Sequence, residues 1–276
     1  MNYVNVRFFY QPLQPWTDIL VAYLSDEDYE SFTENDLGLN AYISEDKFNE
    51  DTIKAICDSL DCSINFEIQQ IKQKNWNAQW ESSFEPVIIK RFCGIRAHFH
   101  APLDVMYEII ITPKMSFGTG HHFTTSGMIM ALNDIILMNQ RILDMGCGTG
   151  VLAILAEKMG SKDIVAIDID EWAYQNTLEN CQQNSCKHIQ VKRGGSEQIE
   201  GIFNVILANI NRNVLIKDLS KYSTHLEING IILLSGFYES DLEQIKNEAN
   251  THSLYYESHF NQNDWVVARF IKKRIQ

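Results

Sequence analysis

Several things are scarce in this chain of 276 residues. No run of about 18 apolar residues occurs, so a membrane-spanning helix is not expected and no membrane partner is assigned. The segment Met1-Asn2-Tyr3-Val4-Asn5-Val6-Arg7 lacks the basic-then-apolar profile of a secretory leader. The six cysteines (Cys57, Cys62, Cys93, Cys147, Cys181, Cys186) form no C-x-x-C pair. A disulfide framework and a structural zinc are therefore not expected, and a reduced, cytoplasmic setting is. Base is short relative to acid: 23 Lys and Arg stand against 36 Asp and Glu, a formal net charge of −13. Direct nucleic-acid binding is disfavoured, because phosphates recruit Lys and Arg.

The missing base is concentrated at one end. Residues 1–70 carry 14 acidic and 3 basic side chains, whereas the other 206 residues are nearly balanced, with 22 and 20. Solubility alone accounts for such a surface. An acidic face that docks a basic partner accounts for it equally.

Apolar periodicity divides the chain. Tyr3–Phe9 reads as a strand with Val4, Val6 and Phe8 on one face. Thr17 is placed to cap a helix bearing Ile19, Leu20, Tyr23 and Leu24. Strands near Glu30–Thr33 and Leu39–Ile43, a helix at Glu50–Leu60 and a strand at Ile64–Ile71 complete a β-α-β-β-α-β order. That order predicts a small ferredoxin-like α+β domain over residues 1–71. Residues 72–85 read as a linker helix with Trp76 and Trp80 on one face. Val87–Phe99 and Val105–Ile111 read as strands, and Thr125–Met138 as a helix. Beyond it, Arg141–Met145, Ile164–Asp168, Ile189–Lys192, Phe203–Asn209 and Gly230–Ser235 alternate with helical stretches, which predicts a doubly wound parallel sheet. The last two strands, Leu254–His259 and Trp265–Ile271, are separated by too few residues for a crossover and predict an antiparallel hairpin. The α/β domain is thus placed at residues 86–276.

The stretch Arg141-Ile-Leu-Asp-Met-Gly-Cys-Gly-Thr-Gly150 carries most of the chemistry. A strand that turns into a helix through Gly146, Gly148 and Gly150 brings backbone N–H groups toward a ligand. The third glycine of a dinucleotide fingerprint would fall at position 151, which is Val151. G-x-G-x-G without it favours a nucleoside lacking a pyrophosphate, such as S-adenosylmethionine, over NAD. The antiparallel tail argues the same way.

Asp168, 18 residues after Gly150, ends the next strand and can accept both hydroxyls of a ribose. Asp170 then caps the following helix. Asp144 either fixes the glycine turn by accepting backbone N–H bonds or reaches a ligand ammonium through water. Asn209 stands at the end of a central strand, where its carbonyl oxygen can accept a hydrogen bond from a substrate amine and aim the nitrogen lone pair. The segment Ser116–Thr125 contains Phe117, Gly118, Gly120, His121 and His122 and runs into a helix N-terminus, whose free N–H groups suit a carboxylate. No acid or thiol cluster accompanies the histidines, so no metal is expected.

Together, Phe117-Gly-Thr-Gly-His-His-Phe-Thr-Thr125, Asp144-Met-Gly-Cys-Gly-Thr-Gly150, Asp168-Ile-Asp170, Ala208-Asn-Ile210 and the segment Asn75-Trp-Asn-Ala-Gln-Trp80 resemble the bacterial ribosomal protein L-eleven methyltransferases. The resemblance spans about residues 72–275; the first domain matches only in layout. It implies a class I methyltransferase, Rossmann-like sheet, with S-adenosylmethionine as methyl donor. It implies that Thr125, Gly146, Asp168 and Asn209 contact the cofactor, and that a mobile first domain presents a basic ribosomal protein for methylation at several amines. Asp144, Gly148, Phe117 and Gly118 join the expected cofactor set. Two departures bear on substrate detail: His121-His122-Phe123 replaces the family's Thr-His-Pro, and Asn211 follows Ile210 where a small or apolar residue is usual.

The expected chemistry is in-line methyl transfer from a sulfonium to a neutral amine. Asn209 and the Ile210 backbone carbonyl would orient the amine, and His121 or His122 is a candidate base. Two other functions fit the same turn: a class I methyltransferase for another protein or small amine, or a non-catalytic S-adenosylmethionine-binding module. A monomer is the default.

Overall fold

A computed structural model describes residues 3–71, 84–114 and 116–274. The chain divides into two compact units, Met1–Trp76 and Asn77–Gln276. The connector carrying Trp76 and Trp80 lies outside the described residues.

The first unit contains β1 (Tyr3–Phe9), α1 (Trp16–Asp26), β2 (Ser31–Asn35), β3 (Gly38–Ser44), α2 (Glu50–Ser59) and β4 (Asn65–Ile71). The sheet order is β2-β3-β1-β4, with every neighbour antiparallel. Alternation along β1 sends Val4, Val6 and Phe8 into one core with Leu20 and Leu24 of α1 and Ile53 of α2. Asn49 caps α2 by accepting the Asp51 N–H at 2.9 Å, and Glu50 and Asp51 add negative charge where the helix dipole favours it. Thr17 is not a cap. The helix starts two residues earlier than such a cap requires, at Trp16 after Pro15, and Thr17 is buried, donating to the Leu13 carbonyl and hydrogen-bonded to Tyr10. All 14 acidic side chains of this unit are exposed. The three bases among its described residues are each paired with an acid: Arg7 with Glu67, Lys47 with Asp28, and Lys54 with Glu50.

The second unit opens with β5 (Val87–Ile89), β6 (Cys93–Ala97) and β7 (Tyr107–Ile111) in a three-stranded sheet. The single strand expected over Val87–Phe99 is instead a hairpin. Lys90 and Arg91 turn the chain at φ of 47° and 55°, and Val87 pairs back onto Ile95. Arg96 is 7% exposed and holds the sheet to its following loop through a two-pronged bond to Glu108, whose carboxylate also accepts the Leu103 N–H.

The main sheet is formed by β8 (Arg141–Met145), β9 (Asp163–Asp168), β10 (Ile189–Arg193), β11 (Phe203–Asn209), β12 (Leu226–Tyr238), β13 (Leu254–Gln262) and β14 (Trp265–Lys272). Their order is β10-β9-β8-β11-β12-β14-β13. The first five strands run parallel; β14 inserts between β12 and β13, antiparallel to both. Strands buried on both faces read as continuous apolar runs, and alternate residues serve opposite cores. Ile142, Ile164 and Val205 pack with α3 (Phe123–Leu132), α4 (Val151–Lys158) and α5 (Glu171–Gln183). Leu143, Val165 and Ile206 pack with α6 (Arg212–His225) and α7 (Leu242–Thr251). The helix expected to reach Met138 ends at Leu132. Ile135 and Leu137 stay buried beyond its end, so apolar spacing outlasts the helix. Because β8 is flanked by β9 on one side and β11 on the other, the tips that bear Asp168 and Asn209 stand on either side of the glycine turn.

Candidate active site

A cavity of about 1270 Å³ opens at the carboxyl ends of β8, β9 and β11. Its walls include Gly146, Gly148, Asp168, Asn209, Ile210, Phe117 and His122. It exceeds the roughly 300–1000 Å³ usual for one small ligand, which leaves space for a second reacting group.

The glycine turn forms its floor, but not as a row of bare amides. Gly146 and Cys147 donate to the Ile167 carbonyl, Gly148 to Asp168 Oδ2, Thr149 to the Phe117 carbonyl and Gly150 to the Cys147 carbonyl. The amides are consumed in closing the turn against its neighbours, contrary to the expectation from the motif. What the glycines supply is close approach. A Cβ on Gly148 would stand 2.2 Å from the Phe117 oxygen, and one on Gly146 would stand 2.1 Å from Ile210 Cγ2. The 116–122 loop is thereby seated on the turn, and Thr149 reinforces it by donating through Oγ1 to the Gly118 carbonyl at 2.7 Å. Gly118 backs onto Thr149 and is not itself on the cavity wall.

Asp168 reaches the cavity while tying two elements. Its Oδ2 accepts Gly148 N–H at 2.9 Å and its Oδ1 accepts Asp170 N–H at 3.0 Å. Asp170 caps α5 through Trp172 and Ala173 N–H groups, as its position suggested. Asp144 lies beneath the turn, fully buried and off the cavity wall. It accepts the Ala153 N–H at 3.1 Å, pinning the first turn of α4, and its Oδ1 has no partner. It thus accepts a backbone N–H, but from α4 and not from the glycine turn itself. Burial pushes its carboxyl up to about 7; the Ala153 bond opposes the rise and the Asp168 charge adds to it.

On the other side of the turn, Asn209 Nδ2 donates to Thr125 Oγ1 at 3.3 Å. Asn209 Oδ1 is buried and accepts no bond. An unmatched buried carbonyl is costly unless a ligand N–H completes it. Thr125 is 1% exposed and not part of the cavity wall, so it touches Asn209 rather than the open space. Ile210 is anchored by its N–H to the Ser235 carbonyl at 3.2 Å. Gly236 packs against the Ile210 peptide so closely that a Cβ there would lie 2.3 Å from the Ile210 oxygen.

The two histidines separate. His121 is exposed, hydrogen-bonded to Thr119, and its ring meets Phe84; it is not brought to the cavity. The expectation of a base at His121 is corrected by that orientation. His122 lines the cavity, caps α3 through Thr124, and lies between Phe117 and Trp265 at ring separations of 5.6 and 4.8 Å. Phe117, His122 and Trp265 thus form an aromatic wall near Asn209 and Ile210. Trp265 was missed in the sequence because β14 lies more than 50 residues from Asn209 along the chain; only the antiparallel insertion brings it in. Also missed were Ile169 and Trp172, 75% and 79% exposed at the cavity edge, and the polar group Ser196, Asp218 and Lys221. Among the described residues no group of three or more His, Cys, Asp or Glu could hold a metal.

This architecture has counterparts. Residues 17–273 match the family model described as ribosomal protein L11 methyltransferase (PrmA). A protein of Bacteroides fragilis named ribosomal protein L11 methyltransferase is 38% identical over 279 residues, covering 98% of this chain and 100% of that protein. A Porphyromonas gingivalis protein of the same name is 41% identical over 262 residues, covering 92% and 90% respectively. A crystal structure titled ribosomal protein L11 methylase from Lactobacillus delbrueckii subsp. bulgaricus shares the fold at a TM-score of 0.64 and 22% identity, over 69% of this chain and all of that one. A nearly full-length family match and relatives of this identity decide the assignment: the chain belongs to the ribosomal protein L11 methyltransferase family.

Proposed function

We propose that the cavity binds S-adenosylmethionine and that the protein transfers its methyl group to lysine or N-terminal amines of ribosomal protein L11. The relatives' printed names supply the acceptor. The observation that carries the chemistry is Asn209: its amide nitrogen is held by Thr125 and its buried carbonyl oxygen lacks a partner. The residues present fit the donor. Asp168 offers a carboxylate at a strand tip for ribose hydroxyls, and the glycine turn gives a floor without side chains. When bound, S-adenosylmethionine supplies an already activated methyl on a sulfonium.

The protein's task is then to align a neutral amine and exclude water. A lysine amine has a pKa of about 10.4, so holding it neutral at pH 7 costs roughly 4–5 kcal/mol. Apolar surroundings lower that cost by disfavouring the ammonium, and Phe117 and Trp265 contribute apolar surface to the cavity wall. Asn209 Oδ1, with the Ile210 carbonyl beside it, accepts the amine's N–H bonds and leaves the lone pair directed along the transfer axis. No side chain at the wall is needed as a strong base, because proton loss to solvent precedes transfer.

The fourteen exposed acids of the first unit support a docking role for a basic protein substrate. The test is incubation with labelled methyl donor and undermethylated ribosomal proteins. The reading expects label on L11, with mass rising in whole methyl steps at amines. Label on a different protein would move the substrate assignment, and tight S-adenosylhomocysteine binding without transfer to any fraction would refute catalysis.

A further inference from the structure

The cavity has a polar corner that methyl transfer does not use. Asp218, on α6, lines the cavity and is 5% exposed. Its Oδ1 accepts a hydrogen bond from Ser196 Oγ at 2.9 Å. Ser196 Oγ in turn accepts one from Lys221 Nζ at 2.9 Å. The direction of this chain is fixed by chemistry. An ammonium only donates, so Ser196 accepts from Lys221 and spends its single proton on Asp218. Asp218 is left as the terminal acceptor, and its Oδ2 has no partner among the described residues. Asp218 lines the cavity, so a ligand bound there can bring this oxygen a second donor.

The corner lies on the β9–β10 side of the glycine turn, away from Asn209. Ser196 follows β10, and Gly194 N–H bonds the Asp168 carbonyl at 2.9 Å, so the segment abuts the tip of β9. A nucleoside whose ribose hydroxyls sit on Asp168, with its sulfur directed at Asn209, extends its base toward this corner. Ile169, Ala173 and Val214 give the neighbouring wall an apolar surface suited to a flat ring.

We infer that Asp218, set by Ser196 and Lys221, is the specificity-determining acceptor for the exocyclic amino group of the cofactor's purine base. The inference rests on the S-adenosylmethionine reading above and deepens it. A base with a 6-amino group donates to Asp218 Oδ2; a base with a 6-oxo group presents a second acceptor to a carboxylate and is repelled.

Calorimetric titration with S-adenosylhomocysteine and S-inosylhomocysteine tests this. The unaltered protein is expected to favour the adenosyl ligand by about 10- to 100-fold. Asp218→Asn, whose amide can donate to a 6-oxo group, is expected to bring the ratio near one or invert it. Asp218→Leu is expected to lose the preference without inversion. Because each variant is scored as a ratio of two ligands on the same sample, a general loss of stability does not imitate the effect. If Asp218→Asn bound neither ligand, the ratio measured on Ser196→Ala, expected to shrink several-fold, decides instead. An unchanged ratio in the variants that bind overturns the assignment of Asp218 while leaving the cofactor reading intact. Failure of the unaltered protein to bind either ligand overturns the cofactor reading, and this inference with it.

Discussion

Replacing Gly148 by Ala isolates the seating of the 116–122 loop on the glycine turn. Gly148 has φ of +56°, and an added Cβ would lie 2.2 Å from the Phe117 oxygen and 3.2 Å from its carbonyl carbon. The left-handed conformation alone costs an L-residue about 1–2 kcal/mol. Relieving the overlap requires the two backbones to part by about 1 Å, an overpacking strain of about 1–3 kcal/mol. That motion also stretches the Thr149 N–H bond to Phe117, which is 3.0 Å, and its loss adds about 1 kcal/mol. The expected destabilisation is therefore about 3–6 kcal/mol. Gly160→Ala provides the backbone-only reference, because φ there is +100° but the nearest atoms to a Cβ are 3.7 Å away. It should cost about 1–2 kcal/mol. Denaturant unfolding measures both, and calorimetric titration with S-adenosylhomocysteine reads the site. Gly160→Ala should bind within about twofold of the unaltered protein, and Gly148→Ala at least about tenfold more weakly. Equal stabilities and equal affinities for the two variants would refute the reasoning.

Other perturbations read separate parts of the account. Thr125→Val removes the oxygen that holds Asn209 Nδ2 and should lower kcat by about 3- to 10-fold, with S-adenosylhomocysteine affinity nearly unchanged; an equal loss in both would assign Thr125 to binding instead. The carboxyl of Asp144 is pushed up to about 7 from an ordinary carboxylate value, so the folded state holds its proton more tightly than the unfolded chain. Its contribution is therefore most favourable below the unfolded pKa and is lost as pH rises toward 7. Asp144→Asn should remove that loss, and the melting temperature of the variant relative to the parent should climb between pH 4 and pH 7; a flat difference contradicts the buried, orphaned oxygen. Arg96→Leu strands a partly buried carboxylate and should cost about 3 kcal/mol in denaturant unfolding. Arg96 holds the Glu108 carboxyl below its ordinary range, so the stability from the pair is present above that range and fades in acid. The gap between parent and variant should narrow as pH falls through the lowered pKa.

The doubly wound sheet was readable because β8, β9 and β11 are buried almost throughout and lead into Gly146, Asp168 and Asn209, a pattern with little competing interpretation. The antiparallel tail was readable from the short link after β13, where Asn263 and Asp264 take φ of 49° and 65°. The β5–β6 hairpin was not. Lys90 and Arg91 are poor advertisements for a turn, and apolar residues on both sides make Val87–Phe99 look continuous. The end of α3 was hidden for a related reason, since Ile135 and Leu137 are buried by the fold after the helix has stopped. Within the site, residues next to glycines or at strand tips could be named from sequence, but their roles could not be separated. Asp144 and Asp168 are both acids at strand ends, yet one is sealed under the turn and the other faces the cavity. Neighbouring histidines likewise diverge, with His122 on the wall and His121 turned to Phe84. Asp218 carries no sequence signal, because a lone acid on a mostly polar helix reads as solvated until Ser196 and the cavity are seen around it.

The central claim is that Asn209 aligns an amine in a cavity that holds the methyl donor independently. Asn209→Ala, assayed side by side for S-adenosylhomocysteine binding and for labelled methyl transfer to ribosomal protein L11, tests it most directly. The account predicts transfer slowed by about 100-fold or more, with affinity reduced by no more than about tenfold. Transfer at a rate close to that of the unaltered protein would contradict it.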